Sequence, residues 1–311
     1  MGKYVFGVDV GGTTVKLGLF DIDGGLKDKW EIPTRTENNG SFIISDIAKS
    51  IQAKIEQESI AKEDIQGVGM GVPGPVKEDG TVLKAVNLGW GVYNPNEELS
   101  KLLNVPVKTG NDANVAALGE MWKGGGQGYT DMVAVTLGTG VGGGIIINGH
   151  IVCGANGAGG EIGHIHLDDE EEDTCGCGAH GCLEQYASAT GIVRIANKKL
   201  AASDKDSVLR KDEVTAKNVW DAVKAGDELA IEAANVYGEY LGKGLAAVAC
   251  VVNPQIFVIG GGVSKAGDVL IEYMKPYYEK YVFHGCKDVK FALATLGNDA
   301  GIYGSAKLVL E

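Results

Sequence analysis

The feature that most constrains this chain is an internal repeat. Residues 5–20 read VFGVDVGGTTVKLGLF and residues 132–147 read MVAVTLGTGVGGGIII. Each is an apolar strand, a glycine and threonine turn, and a second apolar strand, with Val8, Val10 and Gly11 aligning with Val135, Leu137 and Gly138. Short apolar runs bounded by glycine read as strands rather than helices. Two copies more than a hundred residues apart predict two lobes of like topology, each opening with a hairpin.

The segments around the copies alternate in character. Ile44, Ile47, Ile51 and Ile55 recur at helical spacing, so residues 41–59 read as an amphipathic helix. Residues 66–72 form a short strand that stops at Pro73-Gly74-Pro75, residues 105–109 another, and residues 113–122 a helix followed by a glycine-rich boundary at 123–129. Beyond the second copy, residues 187–200 and 214–252 look mainly helical with a polar break at 203–212. A strand at 255–259 runs into Gly260-Gly261-Gly262, and a strand at 289–293 precedes a closing helix at 300–310. Strands alternating with helices place the chain in the α/β class.

The balance of 28 basic against 41 acidic residues gives a net charge of −13, which argues against a nucleic-acid or anionic-membrane surface. An anionic nucleotide must then be met by local groups. No apolar run reaches spanning length and the first strand begins by Tyr4, so neither a membrane span nor a signal peptide is expected and a cytoplasmic location is. Glycine supplies 48 of 311 residues, about twice the usual share, mostly in clusters between apolar runs. Such clusters serve tight turns and close backbone approach to ligands.

The turn Asp9-Val10-Gly11-Gly12-Thr13-Thr14-Val15-Lys16 joins two strands. Its glycines let backbone N–H groups face phosphate oxygens, Thr13 and Thr14 add hydroxyl donors, and Asp9 at the strand end is placed to hold magnesium through water. The second copy, Leu137-Gly138-Thr139-Gly140-Val141-Gly142-Gly143, supplies a matching turn. It satisfies G-x-G-x-x-G, but it runs into the strand Ile145-Ile146-Ile147 where a dinucleotide-binding fold needs a helix. A tight hairpin with no ligand is the plain alternative for either turn alone; the repetition weakens it.

Asn111-Asp112-Ala113-Asn114 lies between a strand and a helix. Phosphoryl transfer to an alcohol needs a carboxylate to take the hydroxyl proton, and Asp112 suits that role, with the helix N-terminus favouring its charged form. Aspartate is also a preferred helix cap, and the two roles are compatible.

Three of the six cysteines fall within eight residues, Cys175, Cys177 and Cys182, preceded by Gly160-Glu161-Ile162-Gly163-His164 and followed by Glu184. One histidine and three cysteines can close a tetrahedral zinc site, with His166 and His180 as competing ligands. Three thiolates with no obvious open position favour structural zinc over catalytic, and free thiols are the alternative. The metal would fix the loop carrying Glu161, His164 and Glu184, all apt partners for sugar hydroxyls. The acidic run 168–173 is expected to be a solvated loop, and Cys153, Cys250 and Cys286 are expected to be buried small apolar residues.

Taken together the chain resembles the ROK family of sugar kinases and repressors, and within it the bacterial glucokinases. The likeness covers nearly the whole chain and rests on DVGGTTVK at Asp9, GVPGPV at Gly71, NLGW at Asn87, NDAN at Asn111, LGTGVGGG at Leu137, GEIGH at Gly160, CGCGAHGCLE at Cys175 and IGGGVS at Ile259, in that order. The resemblance implies the actin-like ATPase and hexokinase fold, two α/β lobes around a cleft. The smaller lobe would take residues 1–117 with 299–311, and the larger lobe, residues 118–298, would carry the zinc loop. It places the general base on Asp112 and sugar binding on Asn111, Asp112, Glu161, His164 and Glu184, with Gly71 nearby. Zinc falls on His164, Cys175, Cys177 and Cys182. Gly11, Gly12, Thr13, Gly138, Thr139, Gly140 and Gly261 match the nucleotide side, which Asp9, Thr14 and Lys16 extend. The implied activity is transfer from MgATP to the 6-hydroxyl of a hexose, glucose first, by a homodimer or homotetramer. The alternatives are a kinase of fructose, mannose, N-acetylglucosamine or N-acetylmannosamine. A sugar-responsive repressor would need a DNA-binding segment before the first strand, and a binding module without turnover would not need both Asp9 and Asp112.

Overall fold

Residues 2–311 are described by a computed structural model and divide into two compact units. The first runs to Thr130 and adds Gly144–Gly160 and Thr295–Glu311; the second comprises Asp131–Gly143 and Glu161–Ala294. The first copy of the repeat lies wholly in the first unit, and the second copy opens the second unit with residues 132–143.

In the first unit β1 (Tyr4–Val10), β2 (Thr14–Asp21) and β3 (Leu26–Pro33) form an antiparallel meander. The short α1 (Glu37–Gly40) and the amphipathic α2 (Ile43–Gln57) lead to β4 (Ile65–Val72), and α3 (Pro95–Leu103) leads to β5 (Val107–Asn111) and α4 (Asp112–Lys123). The sheet order is β3-β2-β1-β4-β5, with β4 and β5 parallel to β1. Register sets Asp9 opposite Gly71, and Val72 opposite Asn111, so the carboxyl ends of β1, β4 and β5 finish along one edge. That edge is where open α/β sheets bind ligands. Ile44, Ile47 and Ile51 of α2 are buried in one core with Val8, Leu17 and Met70 of the sheet, each contributing about 1.5–3 kcal/mol of apolar burial. β3 and α3 are additions to the sequence reading. In β3 every second residue of LKDKWEIP is exposed, the pattern of an outer strand with little apolar signal.

A second sheet, with its helices, repeats the scheme. β6 (Met132–Leu137), β7 (Val141–Ile147) and β8 (His150–Ile151) are followed by α5 (Glu184–Ala187), α6 (Ala189–Ala201), α7 (Ala216–Lys224) and α8 (Glu228–Val252), then β9 (Ile256–Gly260), α9 (Asp268–Tyr281) and β10 (Lys290–Leu293). The sheet order β10-β9-β6-β7-β8 is that of the first sheet read backwards, and β9 is parallel to both β6 and β10. β6 therefore corresponds to β1, β7 and β8 to β2 and β3, and β9 and β10 to β4 and β5. The expected helical stretch 214–252 is two helices, because Gly226 at φ 84° turns the chain between α7 and α8.

The last helix, α10 (Ala300–Leu310), belongs to the first unit and is fitted through glycine contacts. A β-carbon at Gly7 or Gly69 would collide with the Ile302 or Ser305 carbonyl oxygen, and one at Gly304 with that of Val115 on α4. Backbone thus meets backbone, and Ser305 Oγ, fully buried, donates to the Val8 carbonyl at 2.8 Å. Among the remaining cysteines Cys286 is buried and Cys153 half-buried, whereas Cys250 is exposed, contrary to expectation. Its neighbour Ala249 takes the core-facing position on α8, which turns Cys250 outward. Among the described residues no helix is long and apolar enough to cross a membrane.

Candidate active site

On the first unit the turn after β1 closes with Gly11 N–H donating to the Thr14 carbonyl at 3.0 Å, and Thr34 Oγ1 donating to the Gly11 carbonyl at 2.7 Å. Asp9 faces Lys16 across the β1–β2 ladder, and Lys16 Nζ donates to the Asn298 carbonyl at 3.2 Å. Burial pushes the Asp9 carboxyl up from its ordinary range; Lys16 pulls it back and the charge of Asp112 raises it further. The two carboxylates therefore sense one another, a natural arrangement for binding a divalent cation beside a proton acceptor.

The question of the cap at the start of α4 has a definite answer. Asn111, in extended conformation, is the N-cap, its Oδ1 accepting from Asn114 N–H at 3.1 Å. Its amide nitrogen donates to the Gly74 carbonyl at 3.0 Å and to Asp112 Oδ1 at 2.9 Å. Asp112 is the first helical residue, its Oδ1 accepting also from Ala113 N–H at 2.8 Å. Asparagine takes the capping duty and orients the aspartate beside it. Gly71 is buried behind this pair, where a β-carbon would press on Val115 Cγ2 at 2.5 Å.

On the second unit the turn after β6 is closed by Gly138 N–H to the Gly140 carbonyl at 3.0 Å. Gly261, at φ 84°, ends β9 directly against it, since a β-carbon there would lie 2.5 Å from the Leu137 carbonyl oxygen. Only glycine satisfies both the left-handed backbone and that approach. The start of α6 is tied to the same turn, Ala189 N–H donating to the Gly138 carbonyl and Thr190 Oγ1 to that of Thr139, each at 2.8 Å. Beside it lies an open cavity of about 820 Å³ lined by Thr139, by one face of α6 that includes Ala189, Val193, Arg194 and Asn197, and by the start of α7 at Thr215 and Ala216. The sequence reading did not find this cavity, although residues 189, 193 and 197 recur every four positions, the spacing of one helical face.

The candidate metal centre is assembled from a short ribbon. Ligand atoms of His164, Cys175, Cys177 and Cys182 all lie within 4.8 Å of one another, with Cys177 Sγ 3.7 Å from Cys182 Sγ and Cys175 Sγ 3.7 Å from His164 Nδ1. Tetrahedral zinc, with Zn–S about 2.3 Å and Zn–N about 2.1 Å, spaces its ligands by roughly 3.6–3.8 Å, so the donors and their separations fit that ion. Burial pushes the Cys175 thiol up to about 12 and the Cys182 thiol up as well, whereas the Ala179 backbone N–H draws Cys177 down. Loading the site would therefore expel protons.

His166 and His180 are not ligands in this arrangement. His166 is held by Asp169 at 2.8 Å and by the His180 carbonyl at 2.8 Å, and the His180 ring meets the Asp173 carbonyl at 3.1 Å. Both imidazoles brace the ribbon. Glu184 reaches in two directions: Oε1 accepts from Cys175 Sγ at 3.0 Å, and Oε2 lies 3.4 Å from Val141 N–H beside the second glycine turn. Glu161 caps the short turn 162–164, its carbonyl accepting from His164 N–H, and its residue is exposed, as is that of His164.

The acidic run is in large part the solvated loop expected of it, with Asp169, Glu170, Glu172 and Asp173 exposed, but Asp168 and Glu171 are drawn in. Asp168 Oδ2 accepts from Tyr186 OH at 2.6 Å and Tyr240 OH at 2.5 Å, and those rings stack at 3.6 Å. Glu171, only 4% exposed, pairs with Arg194, which holds its carboxyl down at about 2. The partners of Asp168, Glu171 and Asp173 lie 18 to 72 residues away, which local composition does not reveal.

The ROK family model matches residues 5–311. The chain is 45% identical over 316 residues to a glucokinase of Halalkalibacterium halodurans, covering 99% of this chain and 96% of that one. Among solved structures it matches a ROK family glucokinase from Streptomyces griseus, captured with glucose and AMPPNP, at 32% identity and a TM-score of 0.71, covering 98% of each chain. It matches the ROK hexokinase of Thermus thermophilus at 30% identity and a TM-score of 0.80, covering 98% of this chain and 97% of that one. The repeated sheets, the two glycine turns and the Cys/His ribbon thus occur together in a protein that belongs to the ROK family.

Proposed function

We propose that this chain transfers the γ-phosphoryl group of ATP to the 6-hydroxyl of glucose, with Asp112 as general base. The observation that carries the assignment is the division of labour at the start of α4. Asn111 makes the cap, and its amide and the Ala113 N–H orient one Asp112 oxygen, setting the carboxylate at the edge where β1 also delivers Asp9. A proton acceptor fixed in that way suits an acceptor hydroxyl that loses its proton as the bond to phosphorus forms.

Asp9 would hold magnesium through water, and that ion neutralises charge on the transferring phosphates. Amides of the turns at Gly11–Gly12 and Gly138–Gly140, with Thr13 and Thr14, would orient phosphate oxygens. The cavity of about 820 Å³ beside Thr139 has the size for adenosine. Asn111, Glu161, His164 and Glu184 would receive the sugar hydroxyls. The ribbon would hold zinc through His164, Cys175, Cys177 and Cys182, a closed donor set suited to fixing Glu184 rather than to chemistry.

Glucose as acceptor is supported by the 45% likeness to the H. halodurans glucokinase along the whole chain. A cytoplasmic location and a homodimer or homotetramer complete the proposal; unpaired thiols in a metal-binding pattern support the first. The test is an ADP-release assay against a panel of hexoses, with Asp112→Asn as control. Glucose-dependent turnover should fall by two or more orders of magnitude in the variant while glucose affinity holds. Near-normal turnover in Asp112→Asn removes the base assignment, and activity on an N-acetylated sugar alone displaces glucose.

A further inference from the structure

Arg194 joins two parts of the second unit that the proposed mechanism treats separately. Its guanidinium donates to Asp173 Oδ2 at 2.8 Å, to Glu171 Oε2 at 2.5 Å and to the Gln185 carbonyl at 3.0 Å, and it lies 5.1 Å over the Tyr186 ring. Glu171 and Asp173 sit on the ten-residue segment between His164 and Cys175, the longest gap in the metal-ligand set. The same arginine lines the cavity of about 820 Å³, whose helix α6 is bolted through Ala189 and Thr190 to the Gly138–Thr139 turn.

A phosphate-binding role fits Arg194 poorly. Its nitrogens are engaged by two carboxylates, and an incoming phosphate would meet their negative charge. Stability alone does not explain the placement either, since an apolar pair of similar size could fill the same space. What the pairing does accomplish is geometric. Asp168 is held by Tyr186 and Tyr240, so the arm is fixed at its start by the tyrosines and near its end by the arginine. A segment already held near its bound course loses less conformational freedom when its flanking ligands close on an ion.

We propose that Arg194 is a positioning residue that ties the metal-binding ribbon to the helix lining the nucleotide cavity, so that metal retention and occupancy of the cavity are coupled. This rests on the reading of that cavity as the adenosine site. Linkage makes the coupling reciprocal in affinity: whatever steadies α6 tightens metal binding, and a loaded ribbon favours the nucleotide. Partners one step removed from a metal ligand commonly change affinity by about 10–100-fold when lost.

The experiment uses the full chain loaded with zinc. Zinc release to a chromophoric chelator is followed with and without AMPPNP, and AMPPNP binding is measured separately by calorimetry. The wild type should release zinc several-fold more slowly with AMPPNP bound. Arg194→Met should release it about 10–100-fold faster, with no dependence on AMPPNP. Arg194→Lys should recover only part of the effect, because one ammonium does not bridge two carboxylates. Arg194→Met leaves Glu171 buried without its partner, so the double variant Arg194→Met/Glu171→Met tests for a mere folding defect. It should recover thermal stability and still release zinc fast.

Wild-type release rates in a folded Arg194→Met variant, or an AMPPNP effect of wild-type size in it, overturn the proposal. So does recovery of zinc retention by the double variant. If AMPPNP binds and the coupling appears but no hexose is phosphorylated, the inference stands and the phosphotransfer assignment fails. If AMPPNP binds, glucose is turned over and release is indifferent to the nucleotide, the inference alone fails.

Discussion

The close fit of α10 against Asp9 gives a perturbation that separates stability from function. A β-carbon at Gly301 would lie 2.6 Å from Asp9 Cγ and 2.7 Å from Oδ2. Gly301→Ala sits inside a helix, where alanine is favoured by about 1 kcal/mol. The added methyl costs about 1–3 kcal/mol if the surroundings must yield, and rotating the Asp9 side chain about 30° off its well costs only ~0.5–1.5 kcal/mol. The carboxylate is therefore the part that moves. Net stability should change by no more than about 2 kcal/mol, a few degrees in Tm. Misplacing a group that stabilises developing charge costs about 3–4 kcal/mol, or 10²–10³ in rate. The assay is steady-state ADP release across a magnesium titration, with thermal melting and glucose calorimetry on the same preparation. We expect kcat/KM for ATP to fall by about 100-fold or more, a higher magnesium requirement, and unchanged glucose binding. Wild-type turnover and magnesium dependence in a folded Gly301→Ala protein would refute the placement of Asp9 in the magnesium site.

Other consequences are more local. Burial raises the Asp9 carboxyl, so its ionised form opposes folding above the ordinary value of 3.8, and the cost is present at neutral pH. Asp9→Asn should accordingly melt higher than wild type while losing activity; a lower Tm at pH 7 would contradict this. Glu171 runs the other way. Its carboxyl is held at about 2 against an ordinary 4.5, a stabilisation of about 3 kcal/mol that is full above pH 4.5 and lost as pH falls towards 2. The stability gap between wild type and Glu171→Gln, measured by urea unfolding, should be wide at pH 6 and close through that window; a pH-independent gap counts against it. Cys177→Ser removes one of the four proposed metal ligands, so zinc content should drop and the KM for glucose should rise more than that for ATP. A metal-free wild-type protein with full activity rules that out.

Much of the architecture was legible because it depends on short-range pattern. The two strand–turn–strand copies foretold sheets of like topology, and the structure shows β3-β2-β1-β4-β5 matched by β8-β7-β6-β9-β10. Backbone hydrogen bonding and alternate-residue burial are local properties, and they survive in the residue string. The Cys-x-Cys and Cys-x₄-Cys spacing likewise announced a metal ribbon, since ligands close in sequence need only a turn to converge.

Choices among equivalent neighbours were not legible. Asn111 and Asp112 are both competent caps, and the extended backbone of Asn111, with its amide on Gly74 37 residues away, decided between them. His164, His166 and His180 are all possible ligands by spacing; only the fold shows two of them turned to Asp169 and to backbone carbonyls. Within the solvated run 168–173, Asp168 and Glu171 were not distinguishable, because their partners Tyr186, Tyr240 and Arg194 are brought to them by helices folding back. The sequence by itself determined the repeat, the strand–turn chemistry and the donor inventory, because these rest on neighbours along the chain. Which of those donors converge on one point, and which are consumed in bracing it, only the tertiary structure decided, because burial and charge pairing depend on residues that are remote in sequence and adjacent in space.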